Sequence, residues 1–320
     1  MNATTKLSVV APMYNEEGGI ELFLQEVIKV LSENFLNYEL ILVDDGSTDN
    51  TVSKAIKFIQ NHPFIRLIIF SRNYGHEIAS TAGLEQATGD CVVLMDSDLQ
   101  HPPSLIPEMV DKMQEGYDVV CGARINRDEE SWTKRKITRL FYRLSANMSG
   151  LNIDQNVGNF RLMNRNVLDA LKKMKENNRH LVTLFAYLGF KTTYIPYHCH
   201  ERVAGKSKYT WMKLISLALD SIIGFSHRPL RLMSILSILI SFSMMIYAGF
   251  ILLQKFFTSP QLADGVASVI FLVSALFSVL FLFLAILSEY ISRISIETKN
   301  RPLYNIHSQI TYESLKHEDE

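Results

Sequence analysis

Between Arg231 and Lys255 the chain runs for 23 residues without a charge, and between Asp264 and Glu289 for another 24. At about 1.5 Å per helical residue, either run covers a hydrocarbon core of about 30 Å. Only the stretch from Lys255 to Asp264 separates them, and Pro260 lies there, where it breaks no helix. The pattern predicts a transmembrane hairpin over 231–291 rather than core helices of a soluble protein. Arg228 and Arg231 precede the first run and Arg293, Lys299 and Arg301 follow the second, whereas the turn carries only Lys255. That asymmetry places both ends of the chain on the cytoplasmic side. The opening MNATTKLSVVAPMYNEE shows no basic leader followed by an apolar core and a cleavage site, so residues 1–230 are expected to stay in the cytoplasm.

The sequence ahead of the hairpin has a different rhythm. Short β-branched runs, Leu7 to Ala11, Tyr38 to Val43, Arg66 to Phe70, Cys91 to Leu94 and Asp118 to Cys121, precede helix-like stretches. Continuous apolar strands joined by helical crossovers predict an open α/β fold with a mainly parallel sheet covered on both faces. Ligands of such folds gather beyond the carboxyl ends of the strands. The polar clusters fall at those ends: Pro12-Met13-Tyr14-Asn15-Glu16, Asp44-Asp45-Gly46-Ser47 and Asp96-Ser97-Asp98.

With 32 Lys and Arg against 33 Asp and Glu the formal charge is -1, which provides no broad basic surface for nucleic acid. Apolar residues make up 48% and charged residues 20%, which excludes a disordered chain. Cys91, Cys121 and Cys199 lie too far apart in sequence to suggest a zinc site or a disulfide framework, and read as small buried residues. Arg135, Arg139 and Arg143 repeat every fourth position, on one face of a helix: a solvated face or a phosphate-facing stripe. From Tyr209 to Ser226 a narrow strip of Lys213, Ser216 and Asp220 interrupts an apolar surface, which predicts an interfacial helix within 209–230.

Asp96 and Asp98 emerge together from the apolar run CVVLM. A hard divalent ion, Mg2+ or Mn2+, uses such carboxylates to reach a diphosphate while keeping several waters. Asp44 and Asp45 also end a strand, and the turn and helix cap that follow them have no need of two acids.

The ordered set PMYNEE, VDDGSTD, SRNYG, DSDLQHPP, GNFRLM and ERVAGKSKY followed by PLRL resembles the polyisoprenyl-phosphate glycosyltransferases of glycosyltransferase family 2 over nearly the whole chain. The family includes dolichol-phosphate mannose synthase and bacterial undecaprenyl-phosphate sugar transferases. The resemblance implies a GT-A, Rossmann-like catalytic domain over 1–208, ahead of the interfacial helix, the hairpin and a C-terminal tail over 292–320. It also implies a multi-pass protein of the bacterial inner membrane and a homo-oligomer, a tetramer being one form. By position it places Pro12, Tyr14, Glu16 and Asp45 around the nucleotide base and ribose. Asp96, Ser97, Asp98 and Gln100 fall in the metal and diphosphate region, with Asp96 and Asp98 as metal ligands. Arg124, Arg202 and Lys208, and less directly Arg135 and Arg139, supply cations near the donor and acceptor phosphates.

One position departs from the pattern. Many relatives read G-D-F-R-L where this chain has Gly158-Asn159-Phe160-Arg161-Leu162, so an acceptor-orienting carboxylate is here an amide. An amide accepts no proton near neutrality, yet it still positions a partner. A lipid monophosphate is largely ionised at pH 7, with a second pKa of about 6 as in phosphorylated side chains, so its attack requires no strong base. The expected reaction is inverting transfer from a nucleotide sugar, expected to be a UDP-sugar, to undecaprenyl phosphate. Asp98, Asn159, Arg202 and Lys208 are the expected catalytic set, and the loops around Ser71 to His76 and Asn156 to Phe160 are expected to select the sugar. A processive polysaccharide synthase is the nearest alternative, but neither Trp132 nor Trp211 lies in a Q-x-x-R-W motif. A noncatalytic scaffold or lipid-sugar carrier with a retained fold is the other.

Overall fold

The computed structural model describes residues 5–125, 157–177, 179–198 and 265–318, with scattered helical positions between 233 and 246. Two compact units divide the chain, one formed by Met1–Ile215 with Arg301–Glu320, the other by Ser216–Asn300.

In the first unit the strands are β1 (Leu7–Met13), β2 (Tyr38–Asp44), β3 (Ile65–Phe70), β4 (Cys91–Leu94), β5 (Val119–Arg124), β6 (Val157–Asn164), β7 (Thr192–Tyr197) and β8 (Ile306–Thr311). They form one sheet in the order β7-β5-β6-β4-β1-β2-β3-β8. The centre, β4-β1-β2-β3, is parallel throughout, β5 pairs in parallel with β7, and only β6 and β8 run against the rest. All seven residues of β1 are buried, as a strand covered by helices on both faces requires. The described α-helices of this unit that precede residue 200 are α1 (Ile20–Asn34), α2 (Thr51–Ile59), α3 (His76–Gln86), α4 (Ile106–Gln114), α5 (Arg165–Lys173) and α6 (Leu181–Leu188). Helix α1 shows why the crossovers hold: Ile20, Phe23, Leu24, Val27 and Leu31 make one apolar stripe and all are buried.

The five strands expected from the apolar runs are present, each extended or shifted by a residue or more except β4. The expected buried thiols are also found: Cys91 and Cys121 are buried, while Cys199 lies outside the described residues. Burial, with Asp90 adding to it, pushes the Cys91 thiol up to about 11. Such a group stays a thiol at neutral pH, as a packing residue should.

The second unit carries α7 (Val266–Thr298), 33 residues long. It contains the second apolar run and continues past Glu289, where the hairpin was expected to be ending. Its stretch Val279–Thr298 has a mean hydropathy of 1.8 and is, among the described residues, the one segment long and apolar enough to cross a membrane. A second spanning helix is not seen among them, because the first run and the expected interfacial helix over 209–230 lie largely or wholly outside the described residues.

The region expected to be a tail returns to the sheet. Residues after α7 enter β8, which pairs antiparallel with β3, and α8 (Tyr312–Glu318) follows. Sequence reading overlooked β8 because its residues alternate weakly and are half-buried or exposed, the composition of an edge strand.

Candidate active site

The loops that leave β1, β2 and β4 converge above the carboxyl edge of the sheet, and hydrogen bonds tie them together. Asn15 N–H donates to Ser47 Oγ (2.9 Å) and Glu16 N–H to Thr51 Oγ1 (2.8 Å). The Ser97 hydroxyl donates to the Pro12 carbonyl (2.9 Å), so the first and third clusters are also locked. Asn15 and Leu99 both take positive φ, 54° and 62°. For leucine that backbone costs about 1–2 kcal/mol and persists only where the surroundings enforce it.

Asp45 is buried at the end of β2 and clamps a fourth loop. Its carboxylate accepts Tyr74 N–H (2.6 Å) and Gly75 N–H (2.9 Å). Burial raises its pKa, with Asp44 adding to the effect, against the opposing pull of those two amides. Gly46 makes the approach possible: at φ +72° a Cβ there would stand 2.7 Å from the Arg72 carbonyl carbon.

Asp96 is the electrostatic centre. His76 Nε2 stands 3.2 Å from Oδ1 and His101 Nε2 3.7 Å from Oδ2. The Asp96 N–H donates to His101 Nδ1 (2.9 Å), which leaves the ring proton for Nε2, beside Arg124 Nη2 at 3.2 Å. Burial opposes charge on Asp96, but His101, His76 and Arg124 outweigh it and hold the carboxyl well below its usual range. Partial desolvation works against a charged His76, whose side chain is 45% exposed, yet Asp96, with Glu77 and Asp98 behind it, pushes the imidazole up to about 9. His101 is shifted the other way, downward, by burial and by Arg124. It has no exposed surface, and it stacks on Phe160 with ring centroids 4.9 Å apart. Arg124, at the end of β5, also donates from Nε to the Tyr197 hydroxyl (3.1 Å).

Asn159 enters from β6. Its Nδ2 lies 3.2 Å from His76 Nε2 and donates to Glu77 Oε1 (3.4 Å), while Glu77 Oε2 accepts Leu181 N–H (3.0 Å). The two loops expected to select the sugar therefore meet here. Asp98 Oδ1 accepts Gln100 N–H (3.1 Å).

Among the described residues no group of three His, Cys, Asp or Glu side chains is arranged to hold a metal ion. A hard ion that keeps waters and shares phosphate oxygens needs only one or two carboxylates. Asp96 and Asp98 supply that number, although Asp96 Oδ1 already faces His76 Nε2 at 3.2 Å, a contact an ion would have to share or displace. The residues present fit such an ion.

The structure thus brings together Pro12, Tyr14, Glu16, Asp45, Asp96, Ser97, Asp98, Gln100, Arg124 and Asn159 at one edge of the sheet. Arg135, Arg139, Arg202 and Lys208 lie outside the described residues. Sequence reasoning did not single out His76, Glu77 or His101 as site residues. His76 directly follows SRNYG and His101 lies within DSDLQHPP, but their pairing with Asp96 exists only in the fold.

Comparison with known proteins agrees with this architecture. Over 69% of its length the chain superimposes on the crystal structure of glucosyl-3-phosphoglycerate synthase from Mycobacterium tuberculosis in complex with Mn2+ and uridine-diphosphate-glucose. That match covers 78% of the synthase at TM-score 0.53 and 21% identity, a likeness of fold, GT-A. In sequence the chain is 40% identical, over 99% of its length and 98% of the relative's, to the uncharacterized glycosyltransferase YkcC of Bacillus subtilis (strain 168). It is 35% identical to the bactoprenol glucosyl transferase of Shigella phage SfX, over 95% of this chain and 99% of that one. Residues 8–227 match glycosyl transferase family 2, and with strand-end loops and carboxylates placed as that fold requires, the chain belongs to this family.

Proposed function

We propose that this chain transfers a sugar, most simply glucose, from a UDP-sugar to the phosphate of undecaprenyl phosphate, with inversion at the anomeric carbon. The observation that carries the reading is end-to-end similarity at 35% identity to proteins named bactoprenol glucosyl transferases, which includes the region after residue 227 that the family match leaves out. In this reading Pro12, Tyr14, Glu16 and Asp45 face the nucleotide. Asp96 and Asp98, with Ser97 and Gln100 shaping their loop, hold a divalent ion whose chemistry is to neutralise diphosphate charge. Arg124 adds fixed positive charge beside Asp96, and Arg135, Arg139, Arg202 and Lys208 extend it toward the acceptor. The acceptor's anionic oxygen attacks the anomeric carbon as the bond to the nucleotide diphosphate breaks. Preorganised cations are the largest aid to such a step.

The same reading puts the protein at the inner membrane with the catalytic unit in the cytoplasm. The return of the chain to β3 supports it. A polypeptide that leaves a unit at residue 215 and rejoins it at 301 crosses any intervening bilayer an even number of times. With α7 as one span, the first apolar run is the other.

The test is direct. Purified protein in detergent, given undecaprenyl phosphate, radiolabelled UDP-glucose and Mn2+ or Mg2+, is expected to move label into the organic phase. Label retained as polymer would favour a synthase, and no product with any nucleotide sugar would sink the proposal.

Asn159 positions the acceptor without deprotonating it. An aspartate there would stand beside the charged His76, whose Nε2 lies 3.2 Å from the present amide nitrogen, and its carboxylate would be held in that ion pair. Asn159→Asp is therefore expected to leave turnover within about tenfold of the wild type. A gain of several orders of magnitude with unchanged substrate preference would contradict this.

A further inference from the structure

The segment that follows α7 threads past the loop clamped by Asp45. Tyr304 donates its hydroxyl to Glu85 Oε2 on α3 (2.7 Å) and stacks on Phe70 at 4.9 Å between centroids. Phe70 in turn packs edge-on against Tyr74 at 5.5 Å. The Asn305 carbonyl accepts Ser71 N–H (3.0 Å), and Asn305 Nδ2 donates to the Tyr74 hydroxyl (3.1 Å). That hydroxyl lies 3.3 Å from Ser71 Oγ, and the backbone amides of Tyr74 and Gly75 end on Asp45. An unbroken chain of contacts therefore leads from the C-terminal segment to the carboxylate at the end of β2.

We propose that Tyr304 and Asn305 are positioning residues for the donor site, a strap that holds the Ser71–Gly75 loop in the geometry Asp45 requires. The strap rests on the reading of Asp45 as a nucleotide-facing group. Its logic is entropic as well as geometric. A surface loop with two amides committed to one buried carboxylate loses conformational freedom when it docks. A strand already fixed to β3 by its ladder shares that cost, so the loop is ordered before a nucleotide arrives. The strap also makes the donor site discontinuous in sequence, because residues beyond 300 complete a site begun at residue 12.

The double variant Tyr304→Phe with Asn305→Ala, in full-length protein in detergent, tests this. Phenylalanine keeps the stack on Phe70, so only the two side-chain hydrogen bonds are lost. Two hydrogen bonds, one neutral and one ending on the Glu85 carboxylate, predict a rise of about tenfold or more in KM for the nucleotide sugar. The KM for undecaprenyl phosphate and kcat are expected to stay within about twofold, and amide exchange of residues 70–76, measured without ligand, to quicken. A purely structural role would instead lower the melting temperature and disturb both substrates together. Unchanged exchange in 70–76 would overturn the strap, as would faster exchange with an unaltered donor KM. Should the wild type transfer no sugar at all, the functional reading falls, while the exchange measurement still shows whether the strap orders the loop.

Discussion

Asp98→Asn is expected to cut sugar transfer about a thousandfold while the melting temperature stays within about 2 °C of the wild type. The asparagine oxygen can still accept Gln100 N–H, the bond Asp98 makes at 3.1 Å, so the loop keeps its local anchor. What disappears is one of the two negative charges that would hold a divalent ion and let it offset diphosphate charge. Initial rates with labelled donor, beside a circular-dichroism melt, separate the two effects. Transfer within tenfold of wild type would remove Asp98 from the catalytic machinery. The same variant discriminates between classes of function: a scaffold or carrier would keep its role in the membrane after the substitution, whereas an enzyme would not.

Gly46→Ala is expected to have the largest effect on folding. At φ +72° an L residue costs about 1–2 kcal/mol before any contact is considered. The new Cβ would also meet the Arg72 carbonyl carbon at 2.7 Å and the Asn73 nitrogen at 2.8 Å. Both are backbone atoms, so no side-chain rotation relieves the overlap and the loop must move away from Asp45. A loss of about 2–4 kcal/mol follows, or about 5–12 °C in melting temperature for a domain of this size. Gly19→Ala is the control, since its φ is -122° and nothing lies within 4 Å of the added carbon. Equal melting temperatures for the two variants would show that the loop does not press on Gly46.

The fold was legible where burial writes itself into sequence. β1, β2 and β4 are buried almost throughout, and a strand buried on both faces reads as an apolar run. β7 and β8 were not legible, because an edge strand buries few side chains; Thr192, Tyr194 and Pro196 are all exposed. β6 was noticed only as the motif GNFRLM, since it reverses direction and carries Asn159 and Arg161 on one face with Phe160 on the other. In the site, the carboxylates were visible because each follows a strand. Their partners were not. Asn159 meets His76 across 83 positions, and no local pattern records a contact of that range. Nor does any pattern show that His101 would be sealed against Phe160 beside an arginine.

The antiparallel pairing of β8 with β3 also dictates an order of biogenesis. Residues 306–311 follow both apolar runs in the sequence, so the edge of β3 stays unpaired until they have been synthesised. The first unit cannot seal that edge until the whole of the second unit, Ser216–Asn300, has been made. Closure of the sheet is in this way coupled to synthesis of the second unit.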